Sequence, residues 1–214
     1  MKKLYAEFLG MLTLVMAIVG SGIMAQNLSH DVAVQLLMNG ISTVLALGIA
    51  IKLFAKSSGA HFNPVVTLVA LVNNRIRSSR ALQFIAAQIA GACAGAILAN
   101  LMFDFGAVNL STKTRSGIGL LLGEVIATAG LIFVIEYLVS KEKTEIAPII
   151  VPAWIGSAYF FTSSTSFANP AVTISRTLSD TFAGIAPSSV LGFFVAQVIG
   201  ALVGLAAYRV YDSK

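Results

Sequence analysis

Residues 166–172 read Ser-Phe-Ala-Asn-Pro-Ala-Val and lie between two stretches that are too apolar for an ordinary surface loop. In the first half of the chain, residues 61–67 read His-Phe-Asn-Pro-Val-Val-Thr, with the same order of aromatic residue, Asn, Pro and small residue. Asn is a preferred helix N-cap, and Pro fits the first helical position because its missing N–H would have no partner there. Each Asn-Pro pair therefore predicts the start of a helix, at Pro64 and at Pro170.

Both predicted helices are short. They extend over residues 64–74 and 170–180, about 11 residues each, which is roughly 16 Å of helix. The hydrocarbon core of a bilayer is about 30 Å thick, so each helix can reach the midplane but cannot cross. Irregular backbone at that depth is tolerated only where protein or a water-filled cavity surrounds it. We expect two half-helices whose positive ends point at one place, as in channels and transporters.

The composition argues for a membrane protein. The chain is 57% hydrophobic and 11% charged, with a mean hydropathy of +0.88, whereas soluble domains are about 25% charged. The net charge of +5 is spread over loops between apolar spans, which favours cytoplasmic loops over a nucleic-acid surface. A single cysteine, Cys93, rules out an internal disulfide and is expected to fill space in a helix. No cofactor or metal site is expected.

Six stretches are long and apolar enough to cross a bilayer. The first exceeds the 7 to 15 residues usual for the apolar part of a signal peptide, so we expect it to belong to the fold. The six predicted spans are residues 4–26, 32–54, 81–103, 117–139, 146–161 and 188–211.

The Lys and Arg residues fall mostly on one side of this arrangement. Eleven share the side of both termini: Lys2, Lys3, Lys52, Lys56, Arg75, Arg77, Arg80, Lys141, Lys143, Arg209 and Lys214. Three lie opposite: Lys113, Arg115 and Arg176. Cytoplasmic loops are enriched in Lys and Arg, so both termini are predicted to be cytoplasmic. Three spans in each half then place residues 1–110 and 111–214 upside down to one another, within one membrane domain over residues 1–214.

The two halves also share polar residues within their spans. Glu7 and Glu124 lie in the first span of each half, and Gln88 and Gln197 lie in the third. Each Gln is followed by glycines spaced four residues apart, a pattern that lets helices approach closely.

A twofold inverted repeat of three spans plus an Asn-Pro half-helix resembles the aquaporin, or major intrinsic protein, family. The resemblance covers essentially all of the chain, and it is specific because two Asn-Pro motifs occur at matching places with matching Glu and Gln residues. The first triplet departs from the family's Asn-Pro-Ala, since Val65 stands in place of Ala. The resemblance implies an all-α membrane protein with six transmembrane helices and two re-entrant half-helices in an inverted repeat. It also implies a homotetramer in the lipid bilayer, and a bacterial inner membrane is expected.

The resemblance further implies roles for individual residues. Asn63 and Asn169, each followed by the Pro of its motif, would donate hydrogen bonds to passing solutes at the pore midplane. Glu7 and Glu124 would brace the re-entrant segments, although intramembrane carboxylates also invite a proton-coupling role. His61 is expected to line the pore or support it as a neutral imidazole.

Four further positions are expected to form the outer constriction, counted by spacing from the two Asn residues: Thr43, Ser157, Ser166 and Val172. Water-selective members of the family have an aromatic residue at the first, His at the second and Arg at the last. This chain has none of the three, so a wider constriction with three hydroxyls and no fixed positive charge is expected. Within the second half-helix, Arg176 and Asp180 are four residues apart and are expected to pair.

This constriction is similar to that of the bacterial branch of the family associated with arsenite, taken up as neutral arsenous acid. The resemblance therefore predicts passive diffusion of arsenous acid or other metalloid hydroxides, glycerol and urea, together with water. The alternative is a secondary transporter, which would need coupling-ion ligands at the midplane, where Glu7 and Glu124 are the acids that the sequence offers. An enzyme is not expected, because no nucleophile, base and orienting group converge.

Overall fold

The computed structural model describes residues 1–213, which form eight α-helices and three short 3₁₀ turns. The helices are α1 (Lys2–Leu28), α2 (Val32–Ser58), α3 (Pro64–Val72), α4 (Ser78–Met102), α5 (Ile118–Ser140), α6 (Ala147–Phe161), α7 (Pro170–Ser175) and α8 (Val190–Asp212). Six helical segments are long and apolar enough to cross a membrane. They are α1, α2, α4, α5, α6 together with the preceding 3₁₀ turn Thr144–Ile146, and α8 together with the preceding 3₁₀ turn Pro187–Ser189. The predicted class, six spans plus two half-helices in an inverted repeat, is confirmed.

The half-helices α3 and α7 are shorter than the predicted 11 residues. α3 has 9 residues and ends at Val72, and the N–H of its C-cap residue, Asn73, closes the last turn. α7 has 6 residues and passes into the 3₁₀ turn Arg176–Leu178, after which Ser179 is extended. The second half-helix therefore ends before Asp180, and the chain turns away from the helix axis there.

Glycines allow the helices of each half to cross closely. A Cβ on Gly91 would overlap the backbone carbonyl of Phe8, and one on Gly95 would overlap that of Leu12, so α4 lies directly against the backbone of α1. The second half repeats these contacts between α8 and α5, joining Gly200 to Val125 and Gly204 to Ala129. Side chains at these positions would push the helices apart, which is why the small-residue spacing is needed.

The outer surface is apolar where lipid would lie. On α2, large apolar side chains recur every four residues and are 48% to 64% exposed: Leu37, Ile41, Leu45, Ile49 and Leu53. A continuous apolar stripe of this kind would be a liability in water but suits contact with acyl chains. The interior instead holds the small residues, Gln, Glu and Asn side chains that position the two half-helices.

Candidate pore

The tips of the two half-helices are tied to each other by their capping asparagines. Asn63 Oδ1 accepts from the N–H of Val65, and its Nδ2 donates to the carbonyl of Ala168 at 2.8 Å. Asn169 Oδ1 accepts from the N–H of Ala171, and its Nδ2 donates to the carbonyl of Phe62 at 2.7 Å. Each cap therefore fixes its own helix and reaches across to the irregular segment before the other helix.

These bonds leave each Asn with hydrogen-bonding capacity toward a ligand. A side-chain amide has two N–H donors, and one of them is engaged by the opposite carbonyl. Because Oδ1 is held by the helix N-terminus, the amide cannot flip, so its remaining N–H has a fixed direction. Asn63 and Asn169 both line the same cavity and are only 4% and 6% exposed.

The irregular segments before the half-helices have an unusual backbone that is the same in both halves. Ala60 and Phe62 have φ of 49° and 47°, and Ser166 and Ala168 have φ of 51° and 47°. Non-glycine residues rarely adopt this left-handed region, which costs on the order of 1–3 kcal/mol each and persists only where neighbouring groups enforce it. In both segments, a buried carboxylate enforces it.

Glu7 of α1 is fully buried beneath the first segment. Its carboxylate accepts hydrogen bonds from the N–H of His61 (3.0 Å), the N–H of Phe62 (2.8 Å), the hydroxyl of Ser58 (2.6 Å) and the amide of Gln88 (2.7 Å). The carboxylate therefore has four hydrogen-bond donors around it, and both of its oxygens are engaged.

Glu124 of α5 has the same position in the second half. It accepts from the N–H of Phe167 and of Ala168, both at 2.9 Å, and from the amide of Gln197 at 2.6 Å. Gln197 also donates to Thr173 at 2.9 Å, so α8 is bonded to both the carboxylate and α7. The structure thus gives both carboxylates the contacts that a bracing role requires.

One cavity of about 800 Å³ extends along the inside of the bundle. Its wall is mostly apolar, with contributions from α1, α2, α5 and α6, and the two Asn residues are part of it. Lys56 and Glu145 lie on the side predicted to be cytoplasmic, and Thr43 and Arg176 lie toward the opposite side. The cavity therefore extends from the side predicted to be cytoplasmic, past the half-helix tips, to the buried residues Thr43 and Arg176.

The outer part of the cavity contains three of the four residues predicted for the constriction. Thr43, Ser166 and Val172 line it, and all three are buried. The hydroxyl of Tyr159 donates to Thr43 Oγ1 at 3.2 Å and adds a residue that the sequence analysis did not assign.

The prediction for Ser157 is wrong. Ser157 is exposed on the side of α6 that faces away from the cavity. Val151, Ile155 and Tyr159 recur every four residues on the side that lines the cavity. Positions two apart on a helix differ by about 200° in direction, so Ser157 and Tyr159 face opposite ways. Counting back from Asn169 missed this, because the irregular segment before it does not fix the register of α6. The four-residue periodicity of α6 was the signal that could have identified Tyr159.

The expected ion pair between Arg176 and Asp180 does not form. Asp180 instead accepts from the N–H of Thr112 at 2.8 Å, because α7 ends at Ser175 and Asp180 no longer lies one turn beyond Arg176. Arg176 points inward, is 1% exposed and lines the cavity. The expectation that the outer constriction has no positive charge beside it therefore also needs correction.

The inner part of the cavity contains His61 and a charged pair. His61 Nδ1 lies 3.1 Å from Thr67 Oγ1, and its ring packs edge-on against Phe84. Farther along, Glu136 of α5 accepts two hydrogen bonds from Arg75, at 2.8 and 2.5 Å, and both residues line the cavity. Glu136 is 2% exposed and lies near the inner end of the fourth predicted span, so it is a third acid within the spans, in addition to Glu7 and Glu124.

Comparison with known proteins agrees with this geometry. The sequence model of the major intrinsic protein family matches residues 1–168. The chain is 42% identical over 208 residues to "Aquaglyceroporin AqpS" of Rhizobium meliloti (strain 1021), covering 97% of this chain and 89% of that protein. It is 28% identical over 220 residues to "Aquaporin A" of Dictyostelium discoideum, covering 97% and 77%.

A solved structure shows the same fold at lower sequence identity. The X-ray structure of the aquaglyceroporin from Plasmodium falciparum superposes with a TM-score of 0.72 at 20% identity, covering 99% of this chain and 95% of that one. At this identity the likeness concerns the fold. Together with the match of the family model, the identity to the rhizobial protein and the paired Asn-Pro half-helices, it shows that this chain is an integral, multi-pass membrane protein and belongs to the major intrinsic protein, or aquaporin, family.

Proposed function

We propose that this protein is a channel through which small neutral solutes diffuse passively across the membrane. Its substrates are glycerol, urea, arsenous acid or other metalloid hydroxides, and water. The observation that carries the proposal is the pair of asparagine amides at the half-helix tips, each with one N–H committed to the opposite segment and one available to the cavity.

The midplane chemistry supports neutral substrates. A permeating molecule gives up hydrogen bonds to water and regains bonds to Asn63, Asn169 and the carbonyls of the irregular segments. Both half-helices begin at these residues, and helix N-termini carry partial positive charge, which disfavours a cation at this point. The cavity wall is mostly apolar, which limits the number of hydrogen bonds that a solute can make as it passes.

The outer constriction supports solutes that carry several hydroxyl groups. Ser166 supplies a hydroxyl that can donate or accept. The hydroxyls of Thr43 and Tyr159 can accept, because their hydrogens are donated to Asn39 and Thr43, and Val172 supplies one apolar side. A polyhydroxylated solute such as glycerol presents both kinds of surface. One relative is named an aquaglyceroporin, which agrees with this reading.

The hydrogen bonds of the buried carboxylates favour passive passage over coupling to an ion gradient. Glu7 accepts four hydrogen bonds and Glu124 accepts three, most of them from backbone N–H groups and Gln side chains that cannot titrate. Glu136 is held by Arg75. Protonating any of these carboxylates would break bonds that support the fold, which suits a structural role rather than a proton-binding step.

The proposal is tested by stopped-flow light scattering on proteoliposomes. Vesicles with the protein should swell in glycerol, urea and arsenous acid faster than protein-free vesicles, and Val172→Trp, which places a large ring in the constriction, should bring the rate down. Rates equal to those of protein-free vesicles would contradict a channel. Accumulation of solute against its gradient, driven by a pH or sodium gradient, would establish a secondary transporter instead.

The same proposal includes the protein's assembly and orientation. We propose that the protein forms a homotetramer with one pore per chain in the inner membrane of a bacterium. Both termini are cytoplasmic, and the inverted repeats cover residues 1–110 and 111–214. Labelling of single cysteines at positions 2 and 113 from either side of the membrane tests the orientation. Crosslinking in the membrane should give a ladder ending at four chains.

A further inference from the structure

We propose that Arg176 is a specificity-determining residue of the outer constriction, where its guanidinium excludes cations and donates a hydrogen bond to a hydroxyl oxygen of the solute. The inference rests on the proposed channel function and deepens it. It assigns to the turn after α7 the fixed positive charge that Val172 does not supply.

The position of Arg176 follows from the helical register. Val172 lies in α7, and Arg176 follows it by four residues, at the start of the 3₁₀ turn that continues the half-helix. Residues four apart lie on the same helical face. Both line the cavity, so Arg176 is one turn farther from the half-helix tip than Val172.

The side chain is held in place from two sides. Its Cζ lies 3.6 Å from the centroid of the Phe167 ring, and its Nε donates to the carbonyl of Ala183. Stacking on an aromatic face and a directed hydrogen bond together fix the plane of the guanidinium. The charge is therefore part of the cavity wall rather than a mobile surface group.

The charge has no acidic partner. The two ion pairs found among residues 1–213 join Arg75 to Glu136 and Lys141 to Asp212. Arg176 Nη1 is buried without a hydrogen-bond partner in the same part of the chain. An unpaired buried charge inside a membrane protein is costly and is by default a sign of function.

A second donor in the same wall is also unpartnered. The hydroxyl of Ser166 is buried and makes no hydrogen bond within residues 1–213, and Ser166 lines the cavity with Arg176. A solute hydroxyl can accept from Nη1 and exchange a hydrogen bond with Ser166 Oγ. A cation offers no acceptor and meets a like charge, so the two groups together favour neutral hydroxylated solutes.

The competing explanation is that Arg176 only ties residues 176–186 to the half-helix. Two substitutions separate the roles. Arg176→Lys keeps the charge but loses the stacked plane and the Nε bond, whereas Arg176→Gln loses the charge. If the role is structural alone, both should behave alike. If the positive charge excludes cations, Arg176→Lys should still exclude them and Arg176→Gln should not.

The experiment measures glycerol swelling, together with proton flux reported by a pH-sensitive dye inside proteoliposomes. Arg176→Gln should raise proton flux by about tenfold or more, as expected for removal of a charge near the path, and should lower glycerol flux by about threefold to tenfold, as expected for one weakened hydrogen bond to the solute. Arg176→Lys should keep proton flux near that of the wild type. Arg115→Gln is the matched control, because Arg115 also lies beside Phe167, 5.0 Å from the ring, but is not part of the cavity wall.

The outcomes distinguish the two proposals. Unchanged proton flux in Arg176→Gln, in vesicles that still take up glycerol faster than protein-free vesicles, overturns this inference and leaves the channel standing. A wild-type protein that carries no glycerol overturns the proposed function. Should Arg176→Gln fold poorly, Arg176→Met replaces it, because its uncharged side chain can still pack on the Phe167 ring. A proton flux about tenfold or more above that of the wild type supports the inference, and a proton flux equal to that of the wild type contradicts it.

Discussion

Phe62 and Ala168 are each held at both ends of their backbone. The N–H of Phe62 donates to Glu7 and its carbonyl accepts from Asn169, while the N–H of Ala168 donates to Glu124 and its carbonyl accepts from Asn63. Each left-handed residue thus links a carboxylate of one half to an asparagine of the other. The strain in these segments is what positions the two amides in the cavity, and it is supported by contacts that span both halves.

At this scale, Glu124→Gln should destabilise the protein. The glutamine keeps one acceptor oxygen, and its NH₂ would face the N–H of Phe167 or Ala168, leaving a buried donor unpaired at a cost of about 1–3 kcal/mol. For a chain of this size, that cost lowers the transition temperature of unfolding by several degrees, at roughly 2–4 °C per kcal/mol. Thermal unfolding in detergent measures the transition temperature, and Glu142→Gln, at an exposed position, is the control. Equal transition temperatures for the two variants would contradict the bracing role.

The corrected constriction gives a second prediction for single residues. Tyr159→Phe removes a hydroxyl from the cavity and should lower glycerol flux relative to water flux by about threefold to tenfold, the range expected for one lost hydrogen bond. Ser157→Leu adds bulk on the outer face of α6 and should leave both fluxes unchanged. Paired stopped-flow measurements of glycerol and water decide between the two positions. A block by Ser157→Leu, with Tyr159→Phe unaffected, would restore the original assignment.

At the scale of elements, periodicity and capping predicted the helices well. Asn-Pro fixed the starts of α3 and α7, because cap chemistry is local. The ends were less predictable. α7 ends at Ser175, and Asp180 accepts from Thr112 in the loop before α5, a contact between segments far apart in the chain that no local pattern predicts. The same limit explains Ser157, whose direction depends on a register that only the folded irregular segment sets.

The loop between α4 and α5 covers the outer end of the second half-helix. The N–H of Asn109 donates to Leu178, the N–H of Ser111 donates to Thr177, and the carbonyl of Lys113 accepts from Ala186. The side chain of Lys113 adds a bond from Nζ to the carbonyl of Phe182 at 2.9 Å. The loop is therefore a fixed cover rather than a free connection.

This cover gives a pH-dependent prediction. Partial burial, together with Arg115 and Arg176, lowers the pKa of Lys113 to about 8 from an ordinary value of 10.5. Between these values the unfolded chain binds more protons than the folded one, so the free energy of unfolding should rise with pH from about 8 to 10.5.

Lys113 is exposed, and solvent screening should limit the effect to about 1 °C in the transition temperature. The measurement is thermal unfolding at pH 7.5 and pH 10 (chosen to bracket the pKa) for the wild type and Lys113→Met. The wild type should gain more stability than the variant over this interval. The same gain in both proteins, or a smaller gain in the wild type, would show that Lys113 does not contribute.

At the scale of the whole molecule, both halves line one cavity, but they contribute unequally to its outer constriction. Glu, Gln, Asn and the close-packed glycines repeat in both halves, and they position the midplane symmetrically. The outer constriction is drawn from α2, α6 and the second irregular segment with α7, while the Arg75–Glu136 pair lies at the inner end. The repeated residues thus determine the architecture, and the residues that break the repeat determine what passes.

Val172→Arg tests the outer constriction directly. Both halves carry Val three residues after the motif Asn, at Val66 and Val172, so the substitution makes the halves differ there and leaves the Glu, Gln and Asn residues unchanged. Val172 is 3% exposed in the cavity wall, and the longer side chain would project into the path beside Arg176. Glycerol and arsenous acid are wider than water, so their fluxes should fall by about tenfold or more, while water flux should stay within about threefold of the wild type.

Stopped-flow swelling and shrinking of the same vesicles give both values, and Val66→Ile, a small change in the inner wall, is the control for general effects on the bundle. If glycerol flux through Val172→Arg matches that of the wild type, the narrowest part of the path lies elsewhere, and the constriction must be sought at the inner end beside Arg75 and Glu136.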